Sequence, residues 1–364
     1  MNQINPYGYV RNSWYVAGMS KEFEKGKLNG QKIAGRRMVI WRGDDGQVSA
    51  LDDRCAHKRF PLSEGRLMPD GSLECAYHGL CYNSAGKCVK IPAQEDRDIP
   101  PQARVQQFPV IEQDGMVWVW PGDPARCNDR KPPRMPEIVD DAWETIDSGP
   151  IVVPANSLLL VENLLDITHF YPLHDGNIGD YENSRLPVEL EEGEIDGNMY
   201  VKNTRLAKTY KQPPFLVDWF HYETVDRLHT HCLIGTAITR VEMHNAPPGQ
   251  LGTDAERGYV LIHTHTPIDE RSHVWHWIVS CRADHKSKGD PKVSACTRVA
   301  SMFPNVVAED QWALEKQQEM FELPDDGYSE LFLRTDKALR RARHIFVTMM
   351  REEQEAAAAR SAAE

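Results

Sequence analysis

Residues 54–88 decide how the chain is read. They hold RCAHKRFPLSEG (54–65) and CAYHGLCYNSAGKC (75–88), and with them two short ligand pairs, Cys55-Ala56-His57 and Cys75-Ala76-Tyr77-His78, separated by 17 residues. Each pair mixes one thiol with one imidazole. A structural zinc finger groups its ligands differently, as C-x₂₋₄-C followed by H-x₃₋₅-H. A [2Fe–2S] centre with two thiolates on one iron and two neutral imidazoles on the other can draw one Cys and one His from each of two loops, and the imidazoles raise its potential. The flanks suit two gripping turns: Lys58-Arg59-Phe60-Pro61-Leu62 follows the first pair and Gly79 the second. A zinc knuckle is the competing reading.

Outward from these loops the first third reads as short strands broken by turn residues. KIAGRRMVIWRGDDGQVSALDD (32–53) predicts a hairpin around Gly43-Asp44-Asp45-Gly46, and MVWVWPGDP (116–124) a strand stopped by Pro121-Gly122. YNSAGK (82–87) predicts a hairpin turn at Gly86, bracketed by Cys81 and Cys88, which read as packing residues rather than further ligands. This gives a small antiparallel β domain over 1–125. The polar, proline-rich DPARCNDRKPPRMP (123–136) reads as a linker, and 126–364 as a second domain. There a helix over 157–170 precedes strand-like pieces (230–244, 258–267, 273–280), a helical tail over about 304–360 and an alanine-rich end. The mixture is α+β.

The formal net charge of −12 argues against a nucleic-acid partner, which calls for basic patches. The opening MNQINPYGYV lacks a basic, then apolar, leader, and no stretch approaches the roughly 20 apolar residues of a membrane span. The expectation is a cytoplasmic protein whose eight cysteines serve as metal ligands and small buried hydrophobes.

A second site is written into SLLLVENLLDITHFYPLH (157–174). Asn163, Asp166 and His169 step at i, i+3, i+6 on the expected helix, Pro172 is expected to end it, and His174 follows in the next turn. Two imidazoles brought together there make two corners of a metal site. An anionic third ligand would complete the 2-His-1-carboxylate triad of non-haem Fe(II) oxygenases. Two satisfied core histidines beside a helix end are the alternative.

Both patterns together resemble the Rieske non-haem iron aromatic-ring oxygenases, whose cluster motif runs C-P-H-R … C-x-Y-H-G-W and whose iron motif runs N-x-x-D-x-x-H-x₄-H. This chain departs with Ala56 for Pro, Lys58 for Arg and Leu80 for Trp, none of them a ligand. The resemblance covers about residues 10–345. It implies an N-terminal antiparallel β Rieske domain and a helix-grip (START-like) catalytic domain with an antiparallel sheet and helices. It further implies Cys55, His57, Cys75 and His78 on the cluster, His169 and His174 on a mononuclear Fe(II), and Asp310, in NVVAEDQWALEKQQEMFE (305–322), as the third ligand. Glu309 and Glu162 are the neighbouring carboxylates to weigh against Asp310. With Asn163 beside it, Asp166 is implied to bridge the Rieske histidine of one subunit and the iron site of the next in a homotrimer.

Short length and the WYVAG opening (14–18) are most similar to the vanillate- and dicamba-type demethylase subunits. The implied activity is O₂-dependent hydroxylation of a small aromatic compound by oxidative O- or N-dealkylation; ring dihydroxylation is the alternative. No G-x-G-x-x-G or C-x₄-C-x₂-C spacing is present, so electrons must come from a separate reductase, with or without a ferredoxin. A pure electron carrier leaves about 240 residues without a task; a zinc-stabilised ligand-binding protein is the more distant rival.

Other features are weaker. His263 and His265 share one strand face and are candidates to hydrogen-bond a substrate. His273 and His276 fall on opposite faces, and His229 and His231 carry no motif. ALRRARH (338–344) reads as a solvated helix face, and the aromatics around Phe215, Trp219 and Phe220 as a pocket cap or core.

Overall fold

Three small sheets and one large one hold the strands of the computed structural model, which describes residues 5–363 apart from Gly176, Asp325, Asp326, Tyr328 and Ser329. The small sheets belong to one unit, Arg11–Pro132 with Thr266–Asp269; the other unit comprises the segment up to Val10, Pro133–His265 and the chain from Glu270 on.

In the first unit, strands Arg36–Arg42 and Val48–Asp52 pair across the Gly43–Gly46 turn within a four-stranded sheet. A second four-stranded sheet, Arg66–Leu67, Leu73–Glu74, Cys81–Tyr82 and Cys88–Lys90, carries the cluster region. Its last turn needs a glycine: Gly86 has φ +73°, and a Cβ there would stand 2.2 Å from Val105 O. Val39, Trp41, Leu51, Leu62, Leu73 and Tyr82 pack with Cys55 and Cys75 into one core.

The second unit is built on an eight-stranded sheet. Its path runs Trp143–Asp147, Ser272–Arg282, Arg257–Asp269, Ile238–Ala246, Thr224–Ile234, Asn198–Lys211 and Glu189–Ile195, and Ile151–Val153 also pairs with Ser272–Arg282. Alternation along the strands sends His229, His231, Val241 and Leu261 to one face, where they line a cavity. Helix Ser157–Leu165 buries apolar side chains on two faces because two cores claim it. Leu159, Leu160 and Leu164 join the core with Trp275, Trp277 and Phe303, while Leu158, Val161 and Leu165 pack with Ala342, Ile345 and Phe346 of helix Lys337–Ala363.

Two helix expectations are corrected. The helix expected over 157–170 ends at Leu165, and Asp166 is extended (φ −95°, ψ 118°). The sheet holds the break: Asn203 Nδ2 donates to Leu165 O (2.7 Å) and His231 Nδ1 to Leu164 O (2.5 Å). Pro172 therefore lies inside a separate short helix, Phe170–Leu173. The tail is likewise two helices, Phe303–Phe321 and Lys337–Ala363. No helix among the described residues is long and apolar enough to cross a membrane.

Candidate metal centres

The two cluster loops repeat one hydrogen-bond pattern. Cys55 N–H donates to Phe60 O (3.0 Å) and Arg59 N–H to Cys55 O (2.9 Å); Cys75 N–H donates to Leu80 O (2.8 Å) and Gly79 N–H to Cys75 O (2.9 Å). The residue four places after each cysteine has positive φ, 71° at Gly79 and 57° at Arg59. Glycine adopts this freely; Arg59 does so against its own Cβ. Asp53 braces the first loop, accepting from Ser63 N–H (2.6 Å) and from Arg37 Nη2 (2.9 Å).

Each loop buries its thiol and exposes its imidazole. Cys55 and Cys75 are 2% and 1% exposed, whereas His57 and His78 are at the surface with ring centroids 4.4 Å apart. Burial pushes the Cys75 thiol up, and a hydrogen bond with Cys55 adds to the effect. Two adjoining thiols inside and two adjoining imidazoles outside are the donor set a mixed-ligand [2Fe–2S] cluster takes, so the residues fit that group. Cys81 and Cys88 are occupied elsewhere, their thiols donating to Gly79 O and Lys90 O.

In the second unit the chain break puts the other ligand candidates together. Side-chain ligand atoms of His169, His174 and Asp310 all lie within 4.8 Å of one another. Asp310 Oδ1 is 3.2 Å from His174 Nε2 and 3.6 Å from His169 Nε2, and accepts from Asn163 Nδ2 (3.0 Å). His174 Nε2 is buried and has no hydrogen bond of regular geometry. Converging lone pairs without mutual hydrogen bonds are what a common ion requires, and two nitrogens with one carboxylate fit non-haem iron.

The far side of each ring faces another carboxylate. Glu309 Oε2 is 2.7 Å from His174 Nδ1, and Asp166 Oδ2 is 3.9 Å from His169 Nδ1. Asp166 Oδ1 accepts from the backbone N–H and hydroxyl of Thr168, both at 2.7 Å. Burial holds His169 below the usual imidazole range, while at His174 burial is outweighed by Asp310 and then Glu309, which lift it. Glu309 and Asp310, adjacent in sequence, take opposite nitrogens of one imidazole. Glu162 is no spare ligand; it is buried against Arg343 of helix Lys337–Ala363. The 338–344 run is thus partly a set of paired cations, with Arg341 also bound to Glu192.

The iron-site candidates open on a cavity walled by Phe215, Trp219, Val241, Met243, Leu261, Phe303 and Val307. His263 lines it, and its Nδ1 accepts from Trp275 Nε1–H (3.0 Å). His265 is not in the lining; it is buried between Thr239 Oγ1 and Thr236 O, each 3.0 Å away. His273 and His276 are also tied elsewhere, to Ala155 O and Thr264 Oγ1. The sequence reading missed His229 and His231, whose rings meet at 3.1 Å and line the cavity. The signal was available: His-Thr-His at 229–231 has the same i, i+2 spacing as His263 and His265. Burial holds His231 at about 3 and His229 and His263 well below the imidazole range, so all three are neutral donors or acceptors.

Residues 13–109 match the Rieske [2Fe-2S] domain, and residues 153–352 the vanillate O-demethylase oxygenase C-terminal domain. The toluene-4-sulfonate monooxygenase system iron-sulfur subunit of Comamonas testosteroni is 31% identical over 73% of this chain and 78% of its own. A vanillate O-demethylase oxygenase subunit from a Pseudomonas species is 29% identical over 79% of this chain and 86% of its own. The crystal structure of dicamba monooxygenase with non-haem iron and dicamba superposes with a TM-score of 0.79 at 27% identity, covering 96% of this chain and 99% of that one. With a Rieske domain ahead of a vanillate-demethylase-type catalytic domain, the chain belongs to the Rieske oxygenase components, oxidoreductases of the vanillate O-demethylase group.

Proposed function

We propose that this chain is the oxygenase component of a multicomponent monooxygenase that removes an O- or N-linked methyl group from a small aromatic compound by hydroxylation. The observation that carries the reading is the convergence of His169, His174 and Asp310 beside an apolar cavity. Relatives named for toluene-4-sulfonate, vanillate and dicamba support a ring substrate. A separate reductase, with or without a ferredoxin, supplies the electrons.

In this reading the Rieske domain occupies 1–125 and the catalytic domain 126–364. Cys55, His57, Cys75 and His78 hold the cluster; His169, His174 and Asp310 hold the iron, with Asn163 steadying Asp310. Ferrous iron bound there supplies open coordination positions for O₂ activation. Apolar walls keep water from the reacting face. An indole N–H can only donate, so Trp275 leaves the His263 proton on Nε2, a donor for a substrate oxygen at the cavity wall. Asp166 joins the Rieske histidine of one subunit to His169 of the next in a head-to-tail homotrimer, a heterologous contact that closes. Unpaired cysteines suit a cytoplasmic setting.

Turnover with a surrogate reductase and a panel of methoxy-, N-methyl- and unsubstituted aromatic compounds tests the reading. Formaldehyde and the dealkylated ring are expected; a cis-diol marks dihydroxylation instead and overturns the demethylase reading. Mixed rings of Cys75→Ser and His169→Ala subunits should recover activity that neither variant has alone. Verified mixed rings without activity would remove the intersubunit role of Asp166.

A further inference from the structure

One buried cation of the second unit has no task in the ligand set or the cavity wall. Arg205 is 2% exposed, and its Nε and Nη1 find no hydrogen-bond partner among the described residues. A buried cation is destabilising unless an anion answers it. Among the described residues, the inner face of the sheet supplies none beside it. Its own strand, Asn198–Lys211, places Asn203 and Ala207 on either side, and across the ladder it pairs with His229, which burial keeps neutral. Asp180, the buried carboxylate at Arg227 two places before His229, is taken by that arginine and by Tyr210.

The anion comes from the chain that crosses this face. Two places before Arg205, Asn203 Nδ2 donates to Leu165 O (2.7 Å), and opposite Asn203, His231 Nδ1 binds Leu164 O (2.5 Å). These bonds end the helix and turn Asp166 out in extended form. The segment then runs toward the next inward pair, Arg205 and His229, for the Phe170 ring centroid lies 6.3 Å from that of His229. Asp166 follows Leu165 by one residue, about 3.8 Å, and Arg205 follows Asn203 by roughly 7 Å of strand. Charge agrees with position: burial pushes the Arg205 guanidinium down, and Asp166 lifts it against that effect. Asp166 is held only on one side. Thr168 binds Oδ1, while Oδ2 stands 3.9 Å from His169 Nδ1, a buried nitrogen without a hydrogen bond.

We propose that Arg205 is a positioning residue: it is the buried counter-charge of Asp166 and holds that carboxylate folded in against the Nδ1 edge of His169. Its consequence for iron rests on the oxygenase reading; the pairing of the two charges does not. Arg205 is outside the cavity lining, so it works through Asp166 rather than on a substrate. The cation fixes the place of the carboxylate, the carboxylate fixes the ring, and the ring turns Nε2 toward Asp310, 3.6 Å away. A carboxylate on the far edge of a ligating imidazole orients the ring and raises its basicity.

A double-mutant cycle on the cluster- and iron-loaded protein tests it without turnover, using Asp166→Asn, Arg205→Met and both together. Asp166→Asn alone leaves the buried cation unanswered and should lower the folding equilibrium constant at least about tenfold, read from the denaturation midpoint. Beside Arg205→Met the same change should cost less than about threefold, since no cation is then left to answer. Chelator competition reads the iron. Each single variant should weaken iron retention by about tenfold and the double variant by no more than either, because both act through one contact. Arg205→Lys, which keeps the charge, should restore most of the retention, and the Rieske absorption spectrum should stay unchanged throughout. Losses that simply add in the double variant overturn the proposal and leave the oxygenase reading standing; so does Arg205→Met with native iron retention. A native protein that retains no iron overturns both. Arg205→Gln takes the place of Arg205→Met in the same cycle should the latter not accumulate.

Discussion

Glu309 Oε2 lies 2.7 Å from His174 Nδ1, on the opposite edge of the ring from Asp310 Oδ1 at 3.2 Å. The hydrogen bond holds the proton on Nδ1 and leaves the Nε2 lone pair facing the point where His169, His174 and Asp310 converge. Glu309→Ala should weaken iron retention by about 10- to 100-fold, the usual cost of losing such support. Competition with a chelator measures it, and the Rieske absorption spectrum should stay unchanged. Unaltered iron affinity would reduce Glu309 to a surface carboxylate.

Tyr82 stands against Cys55 in the first cluster loop. Its hydroxyl accepts from Ala56 N–H and lies 3.2 Å from Cys55 Sγ, so its own proton is available to the sulfur. A donor to a cluster sulfur favours the reduced, more negative state. Tyr82→Phe should lower the cluster potential by on the order of tens of millivolts. Redox titration followed by EPR would show the shift; an unchanged potential would mean the hydroxyl is not donating.

Glu162 and Arg343 form a buried pair, joined by Glu330 and Tyr7. Burial lifts Glu162 against the pull of Arg343. Glu162→Ala leaves the cation without its deepest partner and should destabilise the protein by ~3 kcal/mol, read from the denaturation midpoint. Iron content should not change. Loss of iron with stability intact would restore Glu162 as a ligand.

The Glu242–His244 pair predicts a pH window. Glu242 is held at about 2, first by its hydrogen bond from His244, and then by Arg240 against burial. Its contribution is complete above the ordinary carboxylate value of 4.5 and is lost as pH falls toward 2. His244 is lifted, first by Glu242 and then by Glu256 against burial, so its contribution is complete below 6.5 and fades as pH climbs through the raised value. His244→Asn should therefore cost ~1 kcal/mol at pH 5.5 and little at pH 9. Equal losses at both pH values would show that packing, not charge, is what His244 contributes.

Much of the molecule was legible in the chain because the information was local. Cys55-x-His57 and Cys75-x-x-His78 place candidate ligands within single turns, and Gly79 and Gly86 mark the turns themselves. The strand-like piece 258–267 falls in one strand of the large sheet, whereas 230–244 spans the turn between two, Thr224–Ile234 and Ile238–Ala246. By itself, the sequence determined the cluster loops, the α+β order of elements, the family, and the candidate ligands His169 and His174.

The tertiary structure decided what depends on groups far apart in the chain. Helical periodicity carries on past Leu165 in sequence, but Asn203 and His231 bind the last carbonyls from the sheet and turn Asp166 out of the helix. Asp310 was the match the resemblance implied, with Glu309 and Glu162 as neighbouring carboxylates to weigh against it. Only packing sent one to Arg343, one to the back of His174 and one between His169 and His174. His263 and His265 share a strand face, yet Trp275 beside one and Thr239 beside the other separate a cavity donor from a core residue. Arg227 had no motif at all; the fold buries it against Asp180, Tyr210, Gln212 and Asn245, as far as 47 positions away. A buried polar group takes its role from whichever partner offsets its desolvation, and that partner is chosen by the fold rather than by neighbours in sequence.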